Sequence, residues 1–393
     1  MKIIQESNGL KNLLKRDGQV FQERRKTLSD TQKKTGRRLQ GWFAFCVRYI
    51  SLCLVALFYV LLTGCAGTEY KNPAGGKDTA LAGAGKNSSA VSAAETFSGQ
   101  KYTVTDDAGH TVTLKGKPKR IVSVTYGTDE ILKVLAGPTR IAADSRYAGD
   151  PEISFLSRQD IAQVGCQAQE NAETIYALQP DLVVVSTASP PDMVSALEQL
   201  GVPVYTAGSL KKVDQMKQKV YRLGLAVGEE EKTKALLRRM DERLAALDKR
   251  LSVITDRKRK VAVAFTMSGP MGRKGDLFDS MLRAAHVING AAVSHPLGIK
   301  GQISKEQVVE INPDIFILPT WNYDPHQDTH TFNREIAEDP AFSNVKAVKN
   351  KQLLPISDRY RYVASHHIVD AIENIAYAVY PEVFPEGRPV DQE

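Results

Sequence analysis

Three sets of residues in this chain could do chemistry. Cys65 closes the tetrapeptide Leu62-Thr63-Gly64-Cys65 behind the apolar run from Ile50 to Leu62. The small residue before it leaves the bond open to a peptidase, and its thiol can take a diacylglyceryl chain. Glu173 and Glu306 form the second set, at equivalent places in two matching segments that lie 133 residues apart. The third set is aromatic and cationic: Tyr126, Arg146, Tyr147, Gln167, Arg273, His295, Trp321, Tyr323, Arg359, Tyr360 and Arg361. Guanidinium groups pair with carboxylates and oxyanions, and aromatic rings make flat apolar walls. Together they suit capture of an anionic, planar or aromatic small molecule.

Other chemistries find less support. The chain holds no Gly-x-Ser-x-Gly elbow, no phosphate-cradling Gly-Lys-Ser/Thr loop and no His-Glu-x-x-His. A lipid-anchored hydrolase is therefore a remote alternative, and the expectation is that the protein is not an enzyme. His326 and His330 could share a metal only on a helix, which Pro325 and Thr329 argue against. His366 and His367 are adjacent, so their side chains diverge. No metal site and no resident cofactor are expected.

The net charge of +7 suggests nucleic acid until it is located. Residues 1–64 carry 12 Lys/Arg against 4 Asp/Glu, a surplus of 8, which leaves the rest of the chain near −1. No nucleic-acid footprint remains there. The basic stretch and the 13-residue, largely apolar run behind it read as a secretory leader, too short for a comfortable bilayer span. Cys46 and Cys53 leave with that leader. With Cys65 acylated, Cys166 has no partner, which excludes a disulfide framework and a cysteine-based zinc site.

From Ala66 to Gly99 the chain is small and polar and cannot bury a core, so it reads as a tether. Order is expected from Tyr102, with a hairpin turning at Asp106-Asp-Ala-Gly-His110. Strands at Ile121–Val124, Ile141–Ala143 and Leu182–Val185 alternate with helices, which implies parallel sheets covered by helices. The two matching segments are Asn171 to Val185 and Ser304 to Leu318. Each has a capping residue, two helical turns, a Pro-Asp break and an apolar strand, which reads as a duplication. Between them lie helical stretches at Val213–Val227 and from Glu230 to about Val253. The second carries Leu236, Leu237, Met240, Leu244, Leu247 and Leu251 at helical spacing, long enough for a rigid spine.

Leu62-Thr-Gly-Cys65 resembles the lipobox of bacterial lipoproteins. Pro118-Lys-Arg-Ile-Val-Ser-Val, Leu200-Gly-Val-Pro-Val, the two Glu/Pro-Asp segments and Val345-Lys-Ala-Val-Lys-Asn-Lys-Gln occur in an order with a family resemblance. From Pro118 to Glu382 the chain is similar to the helical-backbone solute-binding proteins of ABC importers for ferric siderophores, haem and cobalamin. The resemblance implies two Rossmann-like α/β lobes joined by one long rigid helix, with the ligand cleft between the lobes. It implies a leader at 1–64, a tether at 65–100, an N-terminal lobe at 101–228, an interlobe helix at 229–256 and a C-terminal lobe at 257–393. An extracytoplasmic monomer follows, anchored through Cys65 at the cell surface or in the periplasm, that delivers an iron chelate or a corrinoid to a permease dimer with its ATPase subunits. Glu173 and Glu306 would dock on permease arginines. Tyr126, Tyr147 or His295 would be available as an axial ligand to haem. A ligand sensor on the same scaffold is the remaining alternative.

Overall fold

Leu182-Val-Val-Val185 and Ile315-Phe-Ile-Leu318 are apolar at every position, so they are satisfied only as strands covered on both faces. All eight side chains are buried. The structure is a computed structural model and describes residues 100–293, 301–322 and 327–387. The leader, Cys65, the tether, His295, Tyr323 and His326 lie outside the described residues.

A hairpin of β1 (Lys101–Thr105) and β2 (Thr111–Lys115) pairs Tyr102 with Leu114, as the alternation predicts. The N-terminal lobe follows as β3 (Ile121–Ser123), α1 (Tyr126–Ala136), β4 (Ile141–Ser145), α2 (Arg158–Val164), β5 (Gln167–Ala168), α3 (Ala172–Ala177), β6 (Leu182–Ser186), α4 (Pro191–Gln199) and β7 (Val204–Ala207). Its parallel sheet has the order β5-β4-β3-β6-β7. Two helices follow, α5 (Val213–Ala226) and α6 (Glu230–Leu251).

The C-terminal lobe starts with β8 (Val261–Thr266), β9 (Gly269–Met271), α7 (Leu277–Ala284), β10 (Ile288–Asn289), α8 (Gly290–Val293), α9 (Lys305–Ile311) and β11 (Ile315–Leu318). It ends with α10 (Thr329–Glu338), α11 (Lys346–Lys349), β12 (Leu353–Pro355), α12 (Asp358–Arg361) and α13 (Ile368–Val379). The order is β10-β8-β11-β12, parallel, with β9 antiparallel on β8. Strand order reverses between β3 and β6 in one lobe and between β8 and β11 in the other. A crevice opens outside the strand carboxyl ends at such a point.

The internal match has a physical purpose in each lobe. Asn171 caps α3 by accepting the Thr174 N–H, and Ser304 caps α9 in a reciprocal box with Gln307. Gln179 and Asn312, each before a proline, both adopt left-handed backbone, with φ of 50° and 47°. Both helices therefore stop at the same place. The aspartate that follows pins the start of the central strand. Asp181 accepts the Lys119 and Arg120 N–H groups at 2.6 and 2.8 Å, and Asp314 accepts the Val261 N–H at 2.9 Å.

The long interlobe helix is α6, and α5 packs beside it in the spine. Val213 and Met216 of α5 belong to the core of the C-terminal lobe, whereas Val220, Leu223 and Ala226 belong to that of the N-terminal lobe. The next helix returns the other way: Leu236 and Leu237 pack on both cores, and Met240, Leu247 and Leu251 on the C-terminal one. The apolar stripe of α5 changes lobe partway along its length, so this helix too bridges the two cores. The contact between α5 and α6 is closest at Gly224, where an added Cβ would lie 1.9 Å from the Thr233 hydroxyl. Gly224→Ala should therefore cost about 2 kcal/mol through overpacking. Denaturant unfolding should show the loss as a lower midpoint with an unchanged slope; an unchanged midpoint would mean that the helices are not in contact there.

Candidate functional site

The N-terminal half of the site hangs on buried hydroxyls and one buried carboxylate. Ser123 and Thr125 each meet the Thr128 hydroxyl at 2.7 Å, which fixes the turn from β3 into α1. Asp129, fully buried, accepts the Ser145 N–H at 3.1 Å and the Ser145 hydroxyl at 2.6 Å. Burial pushes its carboxyl well above the usual range. These bonds lock the end of β4 to α1 and so place Tyr147 beside Tyr126. The two rings stand edge to face with centroids 6.5 Å apart.

On the C-terminal side a buried ion pair organises the strand ends. Asp358, 0 % exposed, accepts the backbone N–H groups of Thr320 and Trp321 at 2.9 and 2.8 Å, just beyond β11. Its other oxygen takes an Arg361 guanidinium N–H at 2.8 Å. Arg361 then donates to the Phe265 carbonyl of β8 at 2.5 Å. One pair therefore ties β8, the segment after β11 and α12 into a single wall.

The walls enclose a cavity of about 720 Å³ at the carboxyl ends of β3, β6, β7 and β8. Tyr126, Tyr147 and Glu170 face it from the N-terminal lobe. Arg273, Asp276, Phe278, Arg361 and Tyr362 face it from the C-terminal lobe, and Met216 and Lys219 from the spine. The lobes touch at its edge and again away from it. The Tyr126 hydroxyl donates to the Tyr362 carbonyl at 2.8 Å, and Thr320 donates to Glu152 at 3.0 Å. A Cβ at Gly127 would lie 2.5 Å from the Ala364 oxygen, so only glycine permits that approach. Burial, with the nearby Glu130 carboxylate, pushes the Tyr126 phenol up to about 12. In this arrangement it is a protonated hydrogen-bond donor.

Of the residues singled out in the sequence, Tyr126, Tyr147, Arg273 and Arg361 line the cavity. Arg146 stands behind it, its guanidinium 4.6 Å from the Tyr147 ring centroid. Gln167 is exposed and turns its amide back to the Ala148 carbonyl at 2.9 Å. Trp321, Arg359 and Tyr360 lie outside the described lining, contrary to expectation. Tyr360 is 3 % exposed and meets Phe155 edge to face at 5.2 Å, with Arg359 stacked on both rings. Phe155 also stacks on His367 at 4.2 Å, so this cluster joins the lobes instead of walling the cleft. Lys219, Phe278 and Met216 were missed, whereas Tyr362 closes the Arg359–Tyr362 stretch that the sequence places at a strand end. Lys219 had a readable signal, a cation inside the stripe Met216, Val220, Leu223.

Glu173 and Glu306 are both exposed in the first turns of α3 and α9. The Ser304 hydroxyl holds the Glu306 carboxyl below its ordinary range. Cys166 is a half-buried free thiol. No cluster of three or more His, Cys, Asp or Glu side chains able to hold a metal occurs among the described residues.

Two α/β lobes, a spine and a cavity at facing strand ends define a ligand-binding protein, and the family follows. Residues 121–360 match the periplasmic binding protein family, and the chain belongs to it. An uncharacterized ABC transporter substrate-binding lipoprotein of Bacillus subtilis is 24% identical over 334 residues, 83% of this chain and 95% of the relative. A molybdate-binding protein of Haemophilus influenzae is 24% identical over 312 residues, 73% of this chain and 84% of the relative. The fold is shared with the apo form of a periplasmic haem-binding protein from Roseiflexus, at a TM-score of 0.56 and 21% identity, over 67% of this chain and 99% of that one.

Breaking the buried pair should open the C-terminal wall. Asp358→Ala leaves Arg361 and two backbone N–H groups without their acceptor and should cost about 3–5 kcal/mol. Urea unfolding measures it, and a loss of less than about 1 kcal/mol would remove the pair from its organising role.

Proposed function

We propose that this protein captures an iron chelate, a ferric siderophore or haem, between its lobes and delivers it to the permease dimer and ATPase subunits of an ABC importer. It does so outside the cytoplasm, held at the membrane by a lipid on Cys65. The observation that carries the reading is the cavity itself, where tyrosines, Phe278 and arginines from two lobes converge on one space. A volume of about 720 Å³ with mainly apolar walls suits an organic chelate. A bare tetrahedral oxyanion, the cargo named for the Haemophilus relative, would leave most of that space unfilled. A corrinoid remains the alternative cargo, and calorimetric titration with haemin, ferric dicitrate and cyanocobalamin separates the three.

Delivery rests on Glu173 and Glu306. They occupy equivalent first turns on the two lobes, exposed and unburdened by buried partners. Two carboxylates at matched positions give register and a faster encounter with a cationic permease surface. The double variant Glu173→Lys/Glu306→Lys should lower uptake by about tenfold or more, with chelate affinity within about twofold of the parent. Weakened chelate binding in that variant, or undiminished uptake, would contradict the docking role.

A further inference from the structure

Lys219 stands where a stability-driven sequence would place leucine or methionine. It lies on the buried face of α5, between Met216 in one lobe's core and Val220 in the other's. The residue is 5 % exposed and lines the cavity at the spine. An ammonium carries three N–H donors. One goes to the Ala364 carbonyl at 3.2 Å, and among the described residues no carboxylate lies within ion-pair reach. A buried charge without a partner is costly, so its retention calls for a compensating interaction. Burial lowers the amine to about 8 despite the more distant Asp107 and Glu130, so it is still mainly cationic at neutral pH.

The surrounding charges agree. Arg361, whose side chain is 4 % exposed, lines the same cavity with its charge held by Asp358, and its Nε has no partner among the described residues. Arg273 adds a third cation at the rim. Of the two carboxylates facing the space, Asp276 is engaged as the cap of α7, accepting the Asp279 N–H at 2.8 Å. Glu170 is exposed. Among the described residues, Lys219 is therefore the buried cation of this lining that has no carboxylate partner, while Arg361 is paired with Asp358.

We propose that Lys219 is the charge-reading residue of the cleft. The ligand carries a carboxylate, phosphate or other oxyanion that reaches the spine and takes the remaining Lys219 N–H donors, so anionic chelates are chosen over neutral ones. This rests on the reading of the cavity as the ligand site. A contact made from the spine belongs to neither sheet, so its position changes little when one lobe tilts against the other.

Calorimetric titration of the parent, Lys219→Met and Lys219→Gln with haemin, ferric dicitrate and cyanocobalamin tests it. The parent should bind at least one of the two anionic probes. Either variant should weaken that binding by about thirtyfold, the loss of a buried charge-assisted hydrogen bond. Melting temperature should stay level or rise in Lys219→Met, because a desolvated charge has been removed. Affinity within about twofold of the parent in a folded variant would overturn the proposal. A parent that binds cyanocobalamin alone, whose single phosphodiester is balanced by its cobalt centre so that the net charge is zero, would overturn the choice of anionic over neutral chelates and leave the cleft reading standing. Binding of none of the three would overturn both. A melting temperature that falls by more than about 5 °C in both variants would make Lys219 a structural cation and overturn it as well.

Discussion

One helical turn separates Met216, packed in the core of the C-terminal lobe, from Val220, packed in that of the N-terminal lobe. The rest of the architecture depends on that junction. A helix is stiff over one turn, and α6 runs back beside it with Leu236 and Leu237 on both cores. The lobes therefore cannot swing widely without pulling apolar side chains out of one core. The edge contacts from Tyr126 to Tyr362, from Glu152 to Thr320 and from Phe155 to His367 add further restraint. Small adjustments of one lobe against the other are what this construction permits.

Such a frame makes a preformed site. Both sheets turn strand carboxyl ends toward the same space, and buried polar groups hold the segments that follow them. Asp129 performs that task in one lobe and the Asp358–Arg361 pair in the other. The Asp358–Arg361 pair is not an economical route to stability, since burying charge offsets much of what its contacts return. Asp129 and this pair both fix the direction of the segments that carry Tyr147, Arg361 and Tyr362. The spine contributes Lys219 between them, so the cavity has three independent supports.

Much of this was legible because its signals are local. The caps at Asn171 and Ser304 and the Pro-Asp breaks depend on neighbouring residues only, and the matching helices and strands formed where those residues stood. Tyr126, Tyr147, Arg273 and Arg361 followed from the rule that ligands meet strand ends. The same rule failed for Arg359 and Tyr360 because α12 is a single turn. Successive side chains on a helix point about 100° apart, so Arg361 reaches the cavity while Tyr360 enters the core. Trp321 does not line this cavity, and its backbone N–H is held by Asp358, a contact distant in sequence. The change of lobe within α5 was invisible because both halves of its stripe are apolar, and only the packing partners differ. Lys219 breaks that stripe, and it lines the cavity.

The most direct test is anomalous scattering at the iron edge from crystals of the soluble chain grown with haemin or ferric dicitrate. The account predicts one iron peak within the cavity bounded by Tyr126, Tyr147, Arg273 and Arg361, with ligand density touching both lobes. An iron peak elsewhere on the surface, or ligand density confined to one lobe, would contradict it.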